Sequence, residues 1–131
     1  MVFLDAYVPM YLIGAEHPFK TRSAMLLQRL ALERTKLVTD AEVFQEILHR
    51  YTAIRRTDAI QAAFDVLSGL VEQIFPIDFE VVNDAKGLAL AYQGLSARDA
   101  IHLATINRYG ISRLMSFDDG FDVVPGIQRL S

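Results

Sequence analysis

Val2-Phe3-Leu4-Asp5 opens the chain with three apolar residues followed at once by an acid. A short continuous apolar run suits a strand buried on both faces, the kind that fills a parallel sheet. An acid directly after such a strand lies at the strand's carboxyl end, where open α/β sheets bind their ligands. The same pattern returns near the other end of the chain. There Arg113 to Ser116 reads as a strand, and Asp118-Asp119-Gly120 follows as a turn.

The residues between these two runs read mainly as helix. Pro9 is tolerated only near a helix start, so a short helix follows Asp5 and ends at Gly14. Pro18 to Arg34 is expected to be helical with Ala24, Leu27, Leu30 and Ala31 inward, and Leu37-Val38-Thr39 is a second strand. Thr39-Asp40-Ala41-Glu42 has the S/T-x-x-E form of a capping box. It opens a helix whose apolar stripe is Val43, Phe44, Ile47, Leu48, Tyr51 and Ile54. A further helix begins at Thr57 or Asp58 and carries Ile60, Ala63, Phe64, Leu67, Leu70, Val71 and Ile74 on one face. Ile74-Phe75-Pro76-Ile77 is a third strand candidate, weakened by its proline. Asp78 caps a helix that Gly94 stops, Ser96 opens a last long helix that Gly110 closes, and Ile127-Gln128-Arg129 is a terminal strand. Strands alternating with amphipathic helices imply an α/β fold with a mainly parallel sheet of four to five strands.

Composition narrows the function. The 131 residues fit a single domain over 1–131, and 52% apolar with 22% charged residues describes a packed globule rather than a disordered chain. The absence of cysteine excludes a disulfide framework, a thiol nucleophile and Cys-based zinc sites. No basic segment precedes the first apolar run, and Tyr7 to Ala15 contains Pro9 and is too short to span a bilayer. A cytoplasmic protein with no membrane partner is expected. The net charge of −3 is unevenly spread: Pro18 to Arg56 holds eight Lys/Arg against four acids, and Thr57 onward five against ten. Ten of the thirteen basic residues are Arg, which forks onto phosphate. A basic wall beside an acidic pocket is one way to hold RNA over metal ions, and ordinary solvated surface is the other reading.

Four acids fall near one edge of this sheet: Asp5 and Asp118 after strands, Asp99 in the first turn of the last helix, Glu46 on the helix after the second strand. At about 100° per residue Glu46 lies roughly 60° from the apolar stripe, while Glu42 lies nearly opposite it, so Glu46 is the acid able to reach a pocket at the core's border. Crowded carboxylates repel, and a hard dication with oxygen ligands relieves them, magnesium or manganese by preference. Each acid also has a structural reading. Asp5 caps a helix, Asp99 completes a capping box with Ser96, Asp118 makes a turn, and Glu46 pairs with Arg50 one turn on. His102 shares a helix face with Asp99, but inside Ala100-Ile101-His102-Leu103-Ala104 it reads as a partly buried structural histidine. His17 and His49 have no local constellation. Phosphate-binding glycine loops and the G-x-S-x-G elbow are absent.

Four stretches carry a family resemblance: Phe3-Leu4-Asp5 with Val8 to Gly14, Leu37 to Tyr51 around Glu46, Leu95 to Ala104 around Asp99, and Met115-Ser116-Phe117-Asp118 with the residues to Ile127. In that order and spacing the sequence resembles PIN-domain ribonucleases, and specifically the VapC toxins of toxin–antitoxin pairs, from residue 3 to about 129. The resemblance implies a three-layer α/β/α sandwich, a homodimer, and hydrolysis of single-stranded RNA by a metal-activated water, with a cognate antitoxin binding near the active site. It makes Asp5 and Asp99 direct metal ligands, lets Glu46 and Asp118 complete the pocket directly or through water, and gives Ser116 a supporting hydrogen bond. Family members often carry a small polar residue two positions after the first Asp, where this chain has Tyr7. Tyr7 would reach the pocket with its hydroxyl, stack on a base, or mark a weakened site.

Two other classes compete. A regulatory module would keep the fold and hold RNA or protein without cleavage. A phosphoacceptor receiver needs a second acid near Asp5 and a lysine after a late strand, and the three lysines, Lys20, Lys36 and Lys86, do not supply it. A phosphatase with an Asp-x-Asp nucleophile fails at Tyr7.

Overall fold

The computed structural model describes residues 1–131. Five strands form the sheet: β1 (Val2–Leu4), β2 (Leu37–Asp40), β3 (Gln73–Phe75), β4 (Arg113–Met115) and β5 (Gln128–Leu130). Their spatial order is β3-β2-β1-β4-β5, and every neighbouring pair is parallel. Six α-helices flank the sheet: α1 (Tyr7–Ile13), α2 (Pro18–Leu32), α3 (Ala41–Ala53), α4 (Ile60–Leu70), α5 (Phe79–Ala91) and α6 (Ala97–Arg108). The arrangement is the PIN-like α/β/α sandwich. No helix is long and apolar enough to cross a membrane.

Strand β1 is the centre of this architecture. Val2, Phe3 and Leu4 are completely buried, paired with β2 on one side and β4 on the other. Burying such side chains contributes roughly 1.5–3 kcal/mol each, so three residues suffice to fix the strand. The chain builds outward from β1 through β2 to β3, then returns to β4 and β5 on the opposite side. That reversal puts a topological switch point at the carboxyl end of β1, the place where open parallel sheets leave a crevice.

Local chemistry explains where the elements end, and it corrects four expectations. Strand β2 runs through Asp40, not Thr39, so the helix cap shifts by one residue: Asp40 Oδ1 accepts the Val43 N–H at 2.9 Å. Thr39 is not the cap; its hydroxyl donates instead to the Leu4 carbonyl at 2.8 Å and stitches β2 to β1. On α2 the inward small residue is Ser23, while Ala24 and Ala31 are exposed. Of the α3 stripe, Leu48 and Ile54 stand half out of the core. Ile74 belongs to β3 rather than to a helix face, and Pro76 lies outside the strand whose ladder it could not join. Gly110 ends α6 with φ +66°, a left-handed conformation in which a side chain would be strained.

Candidate active site

Four elements deliver acids to one cleft at the switch point. Asp5 follows β1, Glu46 projects from α3, Asp99 lies in the first turn of α6, and Asp118 follows β4. All four line an open cleft of about 360 Å³, together with Tyr7, Ser96 and Arg98. Asp5 is 3% exposed and Asp99 9%, so both present their carboxylates from nearly buried positions, whereas Asp118 stands at the rim. Tyr7, 41% exposed, forms part of the cleft wall.

Hydrogen bonds hold these side chains in place. Asp5 Oδ1 accepts the Ala6 N–H at 2.8 Å, and its Oδ2 accepts the Ser116 hydroxyl at 2.6 Å. Ser116 Oγ in turn accepts the Asp118 N–H at 3.0 Å, so one buried hydroxyl joins the first acid to the last. Asp118 Oδ1 accepts the Gly120 N–H at 2.8 Å. A Cβ on Gly120 would sit 3.0 Å from that same oxygen, so a side chain there would require Asp118 to give way by a few tenths of an ångström. Asp99 N–H donates to Ser96 Oγ at 3.1 Å, which caps α6 and leaves the Asp99 carboxylate facing the cleft.

His102 departs furthest from its expected place. It is not partly buried but wholly so, at 0% exposure, and it is wired to the acids. Its Nδ1 lies 2.9 and 3.1 Å from the two Asp40 oxygens, and its Nε2 lies 2.9 Å from Glu46 Oε1. Ionised carboxylates only accept, so with Asp40 and Glu46 both ionised the two ring nitrogens donate and the ring is an imidazolium. Burial opposes that charge, but Asp40 and Glu46 outweigh it and carry the imidazole well above its ordinary range. Glu46 therefore pairs with His102 and not with Arg50, which forms no ion pair with any acid. Glu42 does not complete a capping box; it lies 3.8 Å from Arg98. The sequence held one trace of this network, the three-residue spacing that puts Asp99 and His102 on the same face of α6. Asp40, the other end of the network, was hidden inside a capping motif.

The electrostatics differ from acid to acid. Burial drives the Asp5 carboxyl up; His102 pulls it back, Glu46 pushes it further, and the bonds from Ser116 and Ala6 N–H pull it down. Asp99 is pushed up to about 7 by burial, then by the neighbouring Asp118 and Asp5 charges, with His102 opposing only partly. Asp5, Glu46 and His102 bring potential ligand atoms within 4.8 Å of one another. Both His102 nitrogens are already engaged, Nδ1 by Asp40 and Nε2 by Glu46, so the ring is not free to take a metal. What remains within that distance is Asp5 and Glu46, with Asp99 and Asp118 lining the same cleft, and hard carboxylate oxygens of this kind fit magnesium or manganese and not a soft ion.

Similarity to known proteins identifies the family. The PIN domain family model matches residues 2–127. Ribonuclease VapC13 of Mycobacterium tuberculosis and a VapC ribonuclease of Mycobacterium bovis are each 51% identical to this chain over 131 residues, covering all of both partners. Ribonuclease VapC23 of Mycobacterium tuberculosis is 35% identical over 118 residues, 90% of this chain and 93% of its own length. Among solved structures, Mycobacterium tuberculosis VapC20, described as a sarcin-ricin loop cleaving toxin, superposes with a TM-score of 0.79 at 19% identity over 98% of both chains. The VapBC2 complex of Rickettsia felis bound to promoter DNA gives 0.76 at 13% identity, covering 99% of this chain and 98% of its counterpart. With 126 residues inside the family's span, and relatives matched end to end, the chain belongs to the PIN-domain family and, within it, to the VapC ribonucleases.

Proposed function

We propose that this chain is a magnesium-dependent endoribonuclease, the toxin of a toxin–antitoxin pair, which hydrolyses single-stranded RNA in the cytoplasm as a homodimer. The reading rests above all on one observation. Acids from four separate elements line one cleft, and Asp99 among them is held up at about 7 by burial first and then by the charges of Asp118 and Asp5. The names of the relatives support ribonuclease activity, and the toxin–antitoxin complexes among the fold's solved structures support a cognate antitoxin as partner.

In this reading Asp5 and Asp99 hold the ion, with manganese able to replace magnesium. Glu46 and Asp118 complete the pocket. A bound dication would supply a Lewis acid toward the phosphodiester and a water more easily deprotonated at neutral pH. The protein's own part is orientation. Ser116 fixes Asp5, His102 fixes Glu46 from behind, and the Gly120 turn fixes Asp118. Tyr7 completes the wall over which RNA would lie.

Pure protein should cleave an unstructured RNA with magnesium, lose that activity in EDTA, and regain it with added magnesium or manganese. Asp5→Asn should be inactive under all three conditions. Tight RNA binding without metal-dependent cleavage would refute the proposal in favour of a regulatory binding module. In cells, the chain expressed alone should arrest growth, and Asp99→Asn at equal expression should relieve the arrest. Undiminished toxicity in that variant would take Asp99 out of the mechanism.

A further inference from the structure

Beside the carboxylate cleft lies a second, smaller pocket of about 200 Å³ whose lining carries two arginines and a histidine. It shares Tyr7, Glu46 and Arg98 with the first and adds His49 and Arg50. Helix periodicity makes this juxtaposition: His49 and Arg50 stand three and four residues after Glu46, so they form the next turn of the same α3 face. Arg98 enters from the first turn of α6 and Tyr7 from the start of α1. Arg50 is exposed and pairs with no acid, although Glu46 is one turn away, because His102 already occupies that carboxylate. Arg98 is held only loosely, 3.8 Å from Glu42.

We infer that this second pocket is a nucleotide subsite: Arg50, with His49 and Arg98, holds the RNA phosphate next to the scissile one, and Tyr7 stacks on the adjoining unpaired base. The inference rests on the ribonuclease reading, because it assigns this pocket the neighbouring nucleotide of the same substrate. The physical need is plain. A cleft lined by four acids repels a polyanion, and a dication compensates only locally, so the flanking phosphate requires a separate anchor. An unpaired guanidinium gives that anchor with forked hydrogen bonds. A half-exposed ring between the two pockets offers a π-face to any base, which suits a single strand and excludes a stacked duplex.

The test uses full-length protein in the Asp5→Asn background, which blocks cleavage, and a short, labelled, unstructured RNA read by fluorescence anisotropy in magnesium at several salt concentrations. Arg50→Ala should weaken binding by about ten- to a hundredfold, as the loss of a charged hydrogen-bond donor does. It should also reduce the slope of log affinity against log salt by about one, a readout that a merely structural role would not move. Arg50→Lys should restore the slope and only part of the affinity. Tyr7→Ala should weaken binding by about fivefold or more with the slope unchanged, and Tyr7→Phe should retain the parent's affinity. Lys36→Ala, altered at the opposite edge of the sheet where Lys36 bonds Gln73, should match the parent. If Arg50→Ala binds with the parent's affinity and slope, the subsite is wrong while the ribonuclease reading stands. If the Asp5→Asn parent binds no RNA at all, both fall.

Discussion

The two halves of the carboxylate cleft are built on opposite electrostatic principles. On the α3 side, negative charge is compensated from within: Glu46 is paired to a buried imidazolium, and Asp40 closes the triad from behind. On the β4 side neither Asp99 nor Asp118 is in an ion pair, and burial first, then the Asp118 and Asp5 charges, lifts Asp99 to about 7 against the partial pull of His102. One half is a finished, prepaid scaffold and the other is left incomplete. The difference teaches that the site is rigid where it positions a carboxylate and open where it would receive an ion. A site compensated throughout would gain little from a metal, and one repelling throughout would not fold firmly.

The largest break in this contrast comes from emptying the compensated half. His102→Ala leaves Asp40, wholly buried, without its partner and frees Glu46. Breaking a buried ion pair on one side costs about 3–5 kcal/mol, and urea denaturation should show a loss of that order. A loss under about 1 kcal/mol, within the range of an exposed pair, would mean that the triad contributes no more than a surface ion pair. Activity should also fall in His102→Ala under conditions where it remains folded, since Glu46 would lose its fixed orientation.

This half is also the part that sequence reasoning read least well. Asp5 and Asp118 were legible because each follows an apolar run, and a strand's carboxyl end is a place that periodicity can find. Glu46 and Asp99 were legible from helix geometry. Asp40 and His102 were not, because their partnership spans 62 residues and no local pattern encodes which two buried polar groups will meet. Local rules explained each residue well enough alone: Asp40 as part of a capping motif, His102 as a core residue in an apolar stretch. The same limit appears on a smaller scale elsewhere. Thr39 left its capping motif to bond the Leu4 carbonyl, and Ser23 took a buried position that small apolar neighbours were expected to fill, although its hydroxyl finds no partner there.

A middle-sized effect is expected where the two halves are joined. Ser116 Oγ donates to Asp5 and accepts from the Asp118 N–H, and the residue is 1% exposed. Ser116→Ala leaves a part-buried N–H and a buried carboxylate each one partner short, which should cost about 1–3 kcal/mol in denaturation measurements. It also removes a bond that lowers the Asp5 carboxyl, so Asp5 should titrate higher and the rise of cleavage rate with pH should move upward. A variant with the parent's pH–rate profile would show that the hydroxyl supports the fold alone.

The smallest stability effect should come from the open half, and its sign should be reversed. Asp99 binds its proton more tightly in the folded chain, near 7, than in the unfolded one, near 3.8. A raised carboxyl of this kind contributes its full stability below about pH 4 and loses it as pH rises through 7. Asn carries no such cost, so without divalent ions Asp99→Asn should become the more stable form between pH 5 and 8. After allowance for an open, solvent-screened cleft the gain should be about 1 kcal/mol at pH 8. Magnesium should undo it. The ion binds the ionised carboxylate and adds stability as its concentration exceeds its dissociation constant, so the native chain should gain more at pH 8 than at pH 6 while Asp99→Asn gains little. Denaturation curves for both forms, in EDTA and in magnesium at each pH, therefore separate the two halves. If the native chain and Asp99→Asn track each other across pH without metal, the repulsion between Asp99, Asp118 and Asp5 is not felt by the fold, and the incomplete half has no vacancy of charge for a dication to fill.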